Sequence, residues 1–145
     1  MTGYLLDTNV VSLLSPSRAE TAGSLIAWLD KAEETSEFFL SVVTIHEIER
    51  GITLLERKGA TAKANDLRHW ITGLFSTYED RILPVGAAVS ALSGQLEAHA
   101  MAAGHNPGMA DALIAGTAKA HELTVITLNL RHFEPFGINL KSAPV

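Results

Sequence analysis

The chain has 145 residues, 47% of them hydrophobic and 19% charged, which suits one globular domain spanning 1–145 and excludes a disordered chain. It has no cysteine, which excludes disulfide frameworks, thiol nucleophiles and thiolate zinc sites and fits a reducing, cytoplasmic setting. A net charge of −5 excludes gripping nucleic acid by bulk charge.

In chain order, Tyr4-Leu5-Leu6 is predicted as a first strand that ends at Asp7. No basic segment precedes it and a carboxylate interrupts its apolar run, so no signal peptide is expected. Nor does any stretch approach the ~20 apolar residues of a bilayer span. Thr8 or Asn9 is expected to cap a short helix through Leu14, stopped by Ser15-Pro16, and a second helix is expected from about Arg18 to Thr35. Phe38 to Val43 reads as a second strand. Thr44 then opens a helix to about Lys58, with Ile45, Ile48, Ile52 and Leu55 at helical spacing, ended by Gly59. A further amphipathic helix covers about Ala62 to Thr77. Arg81–Val85 is a third strand and Ala87–Ala103 a helix. Asn106-Pro107 is read as a cap with proline at the first helical position, starting a helix that runs to about Glu122. Thr124–Leu128 forms a fourth strand and Ile138–Lys141 a fifth. Trp28, Trp70, Phe38, Phe39 and Phe75 are expected in the core or a dimer contact rather than as base-stacking platforms.

Strands separated by helices imply an α/β chain whose parallel sheet is covered on both faces. Ligands bind such sheets beyond the carboxyl ends of the strands. Asp7 ends the first strand, Glu47 lies just past the second, Asp111 sits a turn into its helix, and Asn129 closes the fourth strand. Each acid has an ordinary structural reading. Asp7 can cap a helix, Thr44 and Glu47 fit a capping box, and Asp111 suits the helix dipole. Brought to one sheet edge, however, three carboxylates repel one another unless a cation joins them. Magnesium takes one or two carboxylates plus waters, and hydrolysis of a phosphodiester is chemistry that such a site performs.

Four segments carry a resemblance: Leu5-Leu6-Asp7-Thr8-Asn9, Val43-Thr44-Ile45-His46-Glu47 followed by Gly51, Asp111 to Ala118, and Val125 to Phe133. In this order they resemble PIN-domain nucleases, and more narrowly the VapC toxins of type II toxin–antitoxin modules. The resemblance implies a three-layer α/β/α fold and Mg2+-dependent RNA cleavage, with Mn2+ as a possible substitute. It also implies a homodimer and a cognate antitoxin. Carried over by position, Asp7 and Asp111 match the principal metal-binding acids, and Glu47 the acid that binds the ion or positions water. The fourth segment departs from the fullest pattern. Many relatives carry an aspartate there, whereas Asn129 and His132 occupy the candidate positions, which leaves one-metal and two-metal mechanisms both open.

Thr8, Thr127 and Asn129 are candidates for supporting the metal ligands, though either threonine can equally cap a helix or turn. Arg50 could meet a phosphate or pair with Glu47 or Glu49. Arg50, Arg57, Lys58, Lys63 and Arg68 crowd one region opposed by Glu56 and Asp66, either as a phosphate-binding strip or as a solvated face. His46-Glu47-Ile48-Glu49-Arg50 starts like a zinc-protease motif, but Arg50 stands where the second histidine is needed. The other histidines, His132 among them, show no metal-ligand spacing. Walker loops, dinucleotide fingerprints and Gly-x-Ser-x-Gly elbows are absent. Two alternatives remain: a non-catalytic PIN-fold binding module, and a phosphotransferase or phosphatase using Asp7 as nucleophile, for which Asn9 stands where a second acid is required.

Overall fold

The structure, a computed structural model, describes residues 2–145. Five strands form one sheet: β1 (Thr2–Leu6), β2 (Ser36–Ser41), β3 (Ile82–Leu83), β4 (Thr124–Thr127) and β5 (Leu140–Ser142). All neighbours are parallel, in the order β3-β2-β1-β4-β5. Tyr4 pairs with Phe38 on one side and Thr124 on the other, and Leu6 pairs with Ile126. The expected parallel α/β sheet is therefore present.

Alternation along the strands divides the core. Leu6, Phe38, Leu40 and Ile126 face one apolar cluster, while Leu5 and Val125 face another. The first cluster is covered by α1 (Thr8–Leu13), α2 (Gly23–Ala32), α3 (Val42–Arg57) and α4 (Thr61–Thr77) through Val10, Val11, Leu25, Ile48, Ile52 and Ile71. The second is covered by α5 (Ala87–Ala102), α6 (Met109–Ala120) and α7 (Leu130–Phe133) through Leu96, Ile114, Ala115 and Phe133. That is the α/β/α sandwich the resemblance implies. Phe38 is buried, stacks on Tyr4 and meets Trp28 edge-on, so these aromatics are core as expected. Among the described residues no helix is long and apolar enough to cross a membrane.

Several element boundaries differ from the sequence reading. The segment expected to be helical from Arg18 to Thr35 begins as a 3-10 helix at Pro16–Thr21 and is α-helical only in α2. β2 ends at Ser41, and the helix that Thr44 was expected to open begins two residues earlier, at Val42. Ser41 has extended dihedrals, and its hydroxyl accepts the Val43 amide at 3.0 Å, so it takes the capping role. The β-branched pair Val42-Val43 costs a helix only a few tenths of a kcal/mol, which that cap and the burial of Val43 offset. Asn106-Pro107 starts nothing: α6 begins at Met109 behind Gly108, whose φ of 87° suits only glycine. The third strand shrinks to Ile82–Leu83, and the fifth shifts to Leu140–Ser142. The one-turn α7 has no counterpart in the sequence reading.

Candidate active site

In the strand order β3-β2-β1-β4-β5, the chain winds one way from β1 through β2 to β3 and then crosses to the other side of β1 for β4, so the winding order reverses between β1 and β4. A crevice opens at such a point beyond the strand ends. Asp7 and Thr127, the residues at those two ends, meet there.

Asp7 occupies the N-cap position of α1 with extended dihedrals, and its carbonyl accepts the Val10 and Val11 amides. Its amide donates to the Ile126 carbonyl at 2.9 Å, which extends the β1–β4 ladder by one bond. Its side chain does not cap the helix. Instead Oδ2 accepts a 2.9 Å hydrogen bond from Thr127 Oγ1. Thr127, fully buried, in turn accepts the Asn129 amide at 3.1 Å. One hydroxyl thus joins Asp7 to the turn that leads into α7. Asp7 is only 5% exposed, and burial pushes its carboxyl up to about 6. The Thr127 hydrogen bond pulls it down, while the negative charges of Asp111 and Glu47 push it further up.

Glu47 sits on the second turn of α3. The capping-box reading fails for it, because Thr44 lies inside the helix rather than at its cap. Thr8 Oγ1 donates to Glu47 Oε1 at 2.7 Å and lies 2.9 Å from the buried Thr44 Oγ1. Since the single Thr8 proton points at Glu47, the Thr44 hydroxyl is the donor in the second contact. The relay Thr44 to Thr8 to Glu47 fixes a carboxylate with protons directed toward it. Arg50 Nη2 stands 4.0 Å from Glu47 Oε2, with most of its side chain in solvent.

Asp111 lies in the first turn of α6, partly exposed. Burial raises its pKa, the facing His132 lowers it, and the charge of Glu47 raises it again. His132 Nδ1 is 3.9 Å from Asp111 Oδ2. Asp7, Glu47 and Asp111 therefore act on one another electrostatically despite their separation in sequence. Among the described residues no three His, Asp or Glu side chains are gathered tightly enough to hold one metal ion.

The remaining candidates divide. Thr8 and Thr127 touch the acids directly. Asn129 is exposed at the α7 cap and contributes its backbone amide rather than its side chain. Of the basic strip, Arg68 is tied down: it donates to Glu49 at 2.7 Å and forms an ion pair with Glu56, joining α3 to α4. Arg50 and Lys63 instead line a 380 Å³ groove with Arg18, Thr8 and Glu47. On the other side of Glu47 lies a 490 Å³ hollow lined mainly by apolar groups, including Val43, Val85, Met109 and Leu113. One contributor escaped the sequence reading and another was named there only as a candidate position. Thr44 was hidden by its fit to a capping pattern, and His132 beside Asp111 was signalled only by its place in the fourth segment.

Comparison with known proteins agrees with this architecture. Residues 4–135 match the profile of the family described as PIN domain. The chain is 36% identical over 130 residues to Toxin FitB of Neisseria gonorrhoeae, covering 89% of each chain. It is 32% identical over 137 residues to VapC ribonuclease Y4jK of Sinorhizobium fredii, covering 94% of each. The crystal structure of FitAcB from Neisseria gonorrhoeae superimposes with a TM-score of 0.77 at 33% identity, over 94% of this chain and 95% of that one.

Proposed function

Because this chain belongs to the PIN-domain family, among the VapC- and FitB-type toxins, we propose that it is a Mg2+-dependent endoribonuclease serving as the toxin of a type II toxin–antitoxin module. The observation that carries this reading is Asp7. It is a carboxyl buried at the point where the winding order of the sheet reverses, pushed up to about 6, with two further acids acting on it from α3 and α6.

The donor set fits a hard divalent ion. Magnesium keeps several waters and asks for only one or two carboxylates, so it does not require the three-ligand cage that is missing here. Asp7 and Asp111 would hold it, and the cation would offset the burial that raises both and the lesser repulsion from the neighbouring carboxylates. Mn2+ would be accepted on the same oxygens. An ion held by these carboxylates would supply acidification of water and neutralisation of charge on phosphate oxygens.

The chain's own groups do the rest. Thr127 orients the Asp7 carboxylate by donating to Oδ2, and the Thr8 backbone amide also hydrogen-bonds that carboxylate. Thr8 donates to Oε1 of Glu47, so the second oxygen is the one available to accept a proton from water attacking the phosphodiester. Arg50, largely exposed at the groove edge, meets a flanking phosphate. The test is RNA cleavage with and without Mg2+ by wild-type protein and by the Asp7→Asn and Asp111→Asn variants. Both variants should fold, as read by circular dichroism, and lose metal-dependent cleavage. Full activity in either ends the proposal.

Family membership also supports a cognate antitoxin as inhibitor, a homodimer and a cytoplasmic setting. Co-expression with the neighbouring gene product checks the first, and sedimentation equilibrium the second.

A further inference from the structure

We propose that Gly51 and Trp70 form a nucleobase subsite in the groove beside Glu47, where one unpaired base of a single-stranded RNA stacks on the indole face. The proposal rests on the ribonuclease reading above and adds to it the residues that receive a base.

Two helices build the groove. On α3, Glu47, Gly51 and Leu55 recur at four-residue spacing and share a face; on α4, Lys63, Leu67 and Trp70 recur at four and then three. All six line the same groove of 380 Å³. That volume is at the lower end for small-ligand sites, which begin near about 300 Å³. Arg68 of α4 donates to Glu49 of α3 at 2.7 Å, so Trp70, two residues further on, comes beside the stretch of α3 that carries Glu47. The sequence placed Trp70 with the core aromatics. It does pack against the first core cluster, yet it stays half-buried and lines the groove.

Gly51 adds a second observation. Inside a helix glycine is less stable than alanine, so its presence there calls for a reason. A Cβ at Gly51 would meet nothing within 4 Å, and no packing within the protein supplies that reason. Gly73 and Gly94 are open in the same way but lie outside the groove lining. At Gly51 the missing side chain lets a ligand approach the α3 backbone closely.

Charge selects the occupant. Arg18, Arg50 and Lys63 stand exposed around this groove on a molecule of net charge −5, which suits a polyanion. Cations that track a backbone beside an aromatic face are how single strands are held, because an unpaired base offers its π-face. A peptide carrying apolar and acidic residues is the competing occupant.

Fluorescence on the Asp7→Asn background separates the two. The chain has two tryptophans, so Trp28→Phe leaves Trp70 as the sole indole emitter. The probes are a short single-stranded RNA, the same strand with abasic ribose units, and an acidic amphipathic peptide. RNA should quench Trp70 emission, and the abasic strand should not. By anisotropy, Trp70→Leu, which keeps the apolar bulk, should lose about tenfold in affinity for RNA, with Trp70→Phe losing less. Affinity for the abasic strand should stay within about twofold in both. Gly51→Ala should unfold at a higher temperature than its parent yet bind RNA about fivefold more weakly. The subsite is overturned by unchanged emission on adding RNA, by quenching with the peptide alone, or by a Trp70→Leu loss that is absent or equal for both strands. Gly51→Ala binding RNA as tightly as its parent overturns it too. If these effects appear while wild-type protein cuts no RNA, the nuclease reading fails and the subsite stands.

Discussion

Asp7 is 5% exposed and carries a carboxyl displaced from an ordinary 3.8 to about 6, so its charge at neutral pH is held against the surrounding fold. Between those two values the folded chain keeps a proton that the unfolded chain has released. Stability of the metal-free protein on account of Asp7 is therefore greatest below pH 3.8, falls as pH rises through the window, and stays reduced above 6. Asp111, raised as well, contributes in the same direction. Asp7→Asn removes the buried charge, and in EDTA at pH 8 it should be more stable than wild type by up to about 3 kcal/mol, a ceiling set by a shift of roughly two units. Urea unfolding at pH 4 and pH 8 measures this, and a variant no more stable than wild type at pH 8 contradicts it. Thr127 makes a complementary case. Thr127→Val deletes the donor to Asp7 and the acceptor of the Asn129 amide together, whereas Thr127→Ser keeps both. The valine variant should lose about 1–2 kcal/mol of stability and most of its activity, and the serine variant little of either. Equal activity in the two would show that the hydroxyl does not hold the site.

At the scale of elements, the tightest approach lies between α5 and α6. A Cβ on Gly116 would fall 1.9 Å from Ser93 Oγ and 3.0 Å from Ser93 Cα, so the two helices pack backbone to backbone at this crossing. Ser93 Oγ is buried without a hydrogen-bond partner. Gly116→Ala should cost about 1–3 kcal/mol by overpacking, and because α6 carries Asp111 it should also weaken metal-dependent cleavage. Ser93→Ala should be neutral or stabilising, since it removes a desolvated hydroxyl at no loss of contact. Thermal unfolding of the two variants gives the sign of each; a Gly116→Ala protein as stable as wild type would mean the helices separate freely. This crossing could not be seen in the sequence, where Gly116 reads only as a weak helix former. The elements that were legible are the short apolar runs Tyr4-Leu5-Leu6 and Phe38-Phe39-Leu40, read as strands, and the helical spacing of Ile48, Ile52 and Leu55. The start at Ala87 was legible too, but two others were not: Thr44 and Asn106-Pro107 satisfy local capping rules, while the helices begin after Ser41, whose hydroxyl accepts the Val43 amide, and after Gly108 with its positive φ. Asp7 and Glu47 were identifiable by their places at or just past strand ends, and Asp111 by the third segment of the resemblance, but the Thr44–Thr8–Glu47 relay was not, since it joins side chains 36 and 39 residues apart.

For the whole molecule, a net charge of −5 means that any RNA must be met locally, on a positive surface small enough to escape the general repulsion. The fold provides one such surface beside Glu47, where Arg18 from the 3-10 segment, Arg50 from α3 and Lys63 from α4 converge on the same groove. It withdraws Arg68, which clustered with them in sequence but spends its guanidinium on Glu49 and Glu56. The basic strip is thus divided, with Arg68 spent on ion pairs and Arg50 and Lys63 turned to the groove. On an uncleaving Asp7→Asn background, three phosphate contacts to single-stranded RNA would give a slope of log affinity against log salt near about −2. Neutralising Arg18, Arg50 or Lys63 one at a time should make that slope shallower by about 0.7 each, while Arg68→Ala should leave it unchanged. Fluorescence anisotropy across a salt series reads the slopes directly. A slope that responds to Arg68 as strongly as to Arg50 would place RNA along the outer face of α3 and α4 and take the groove out of substrate binding.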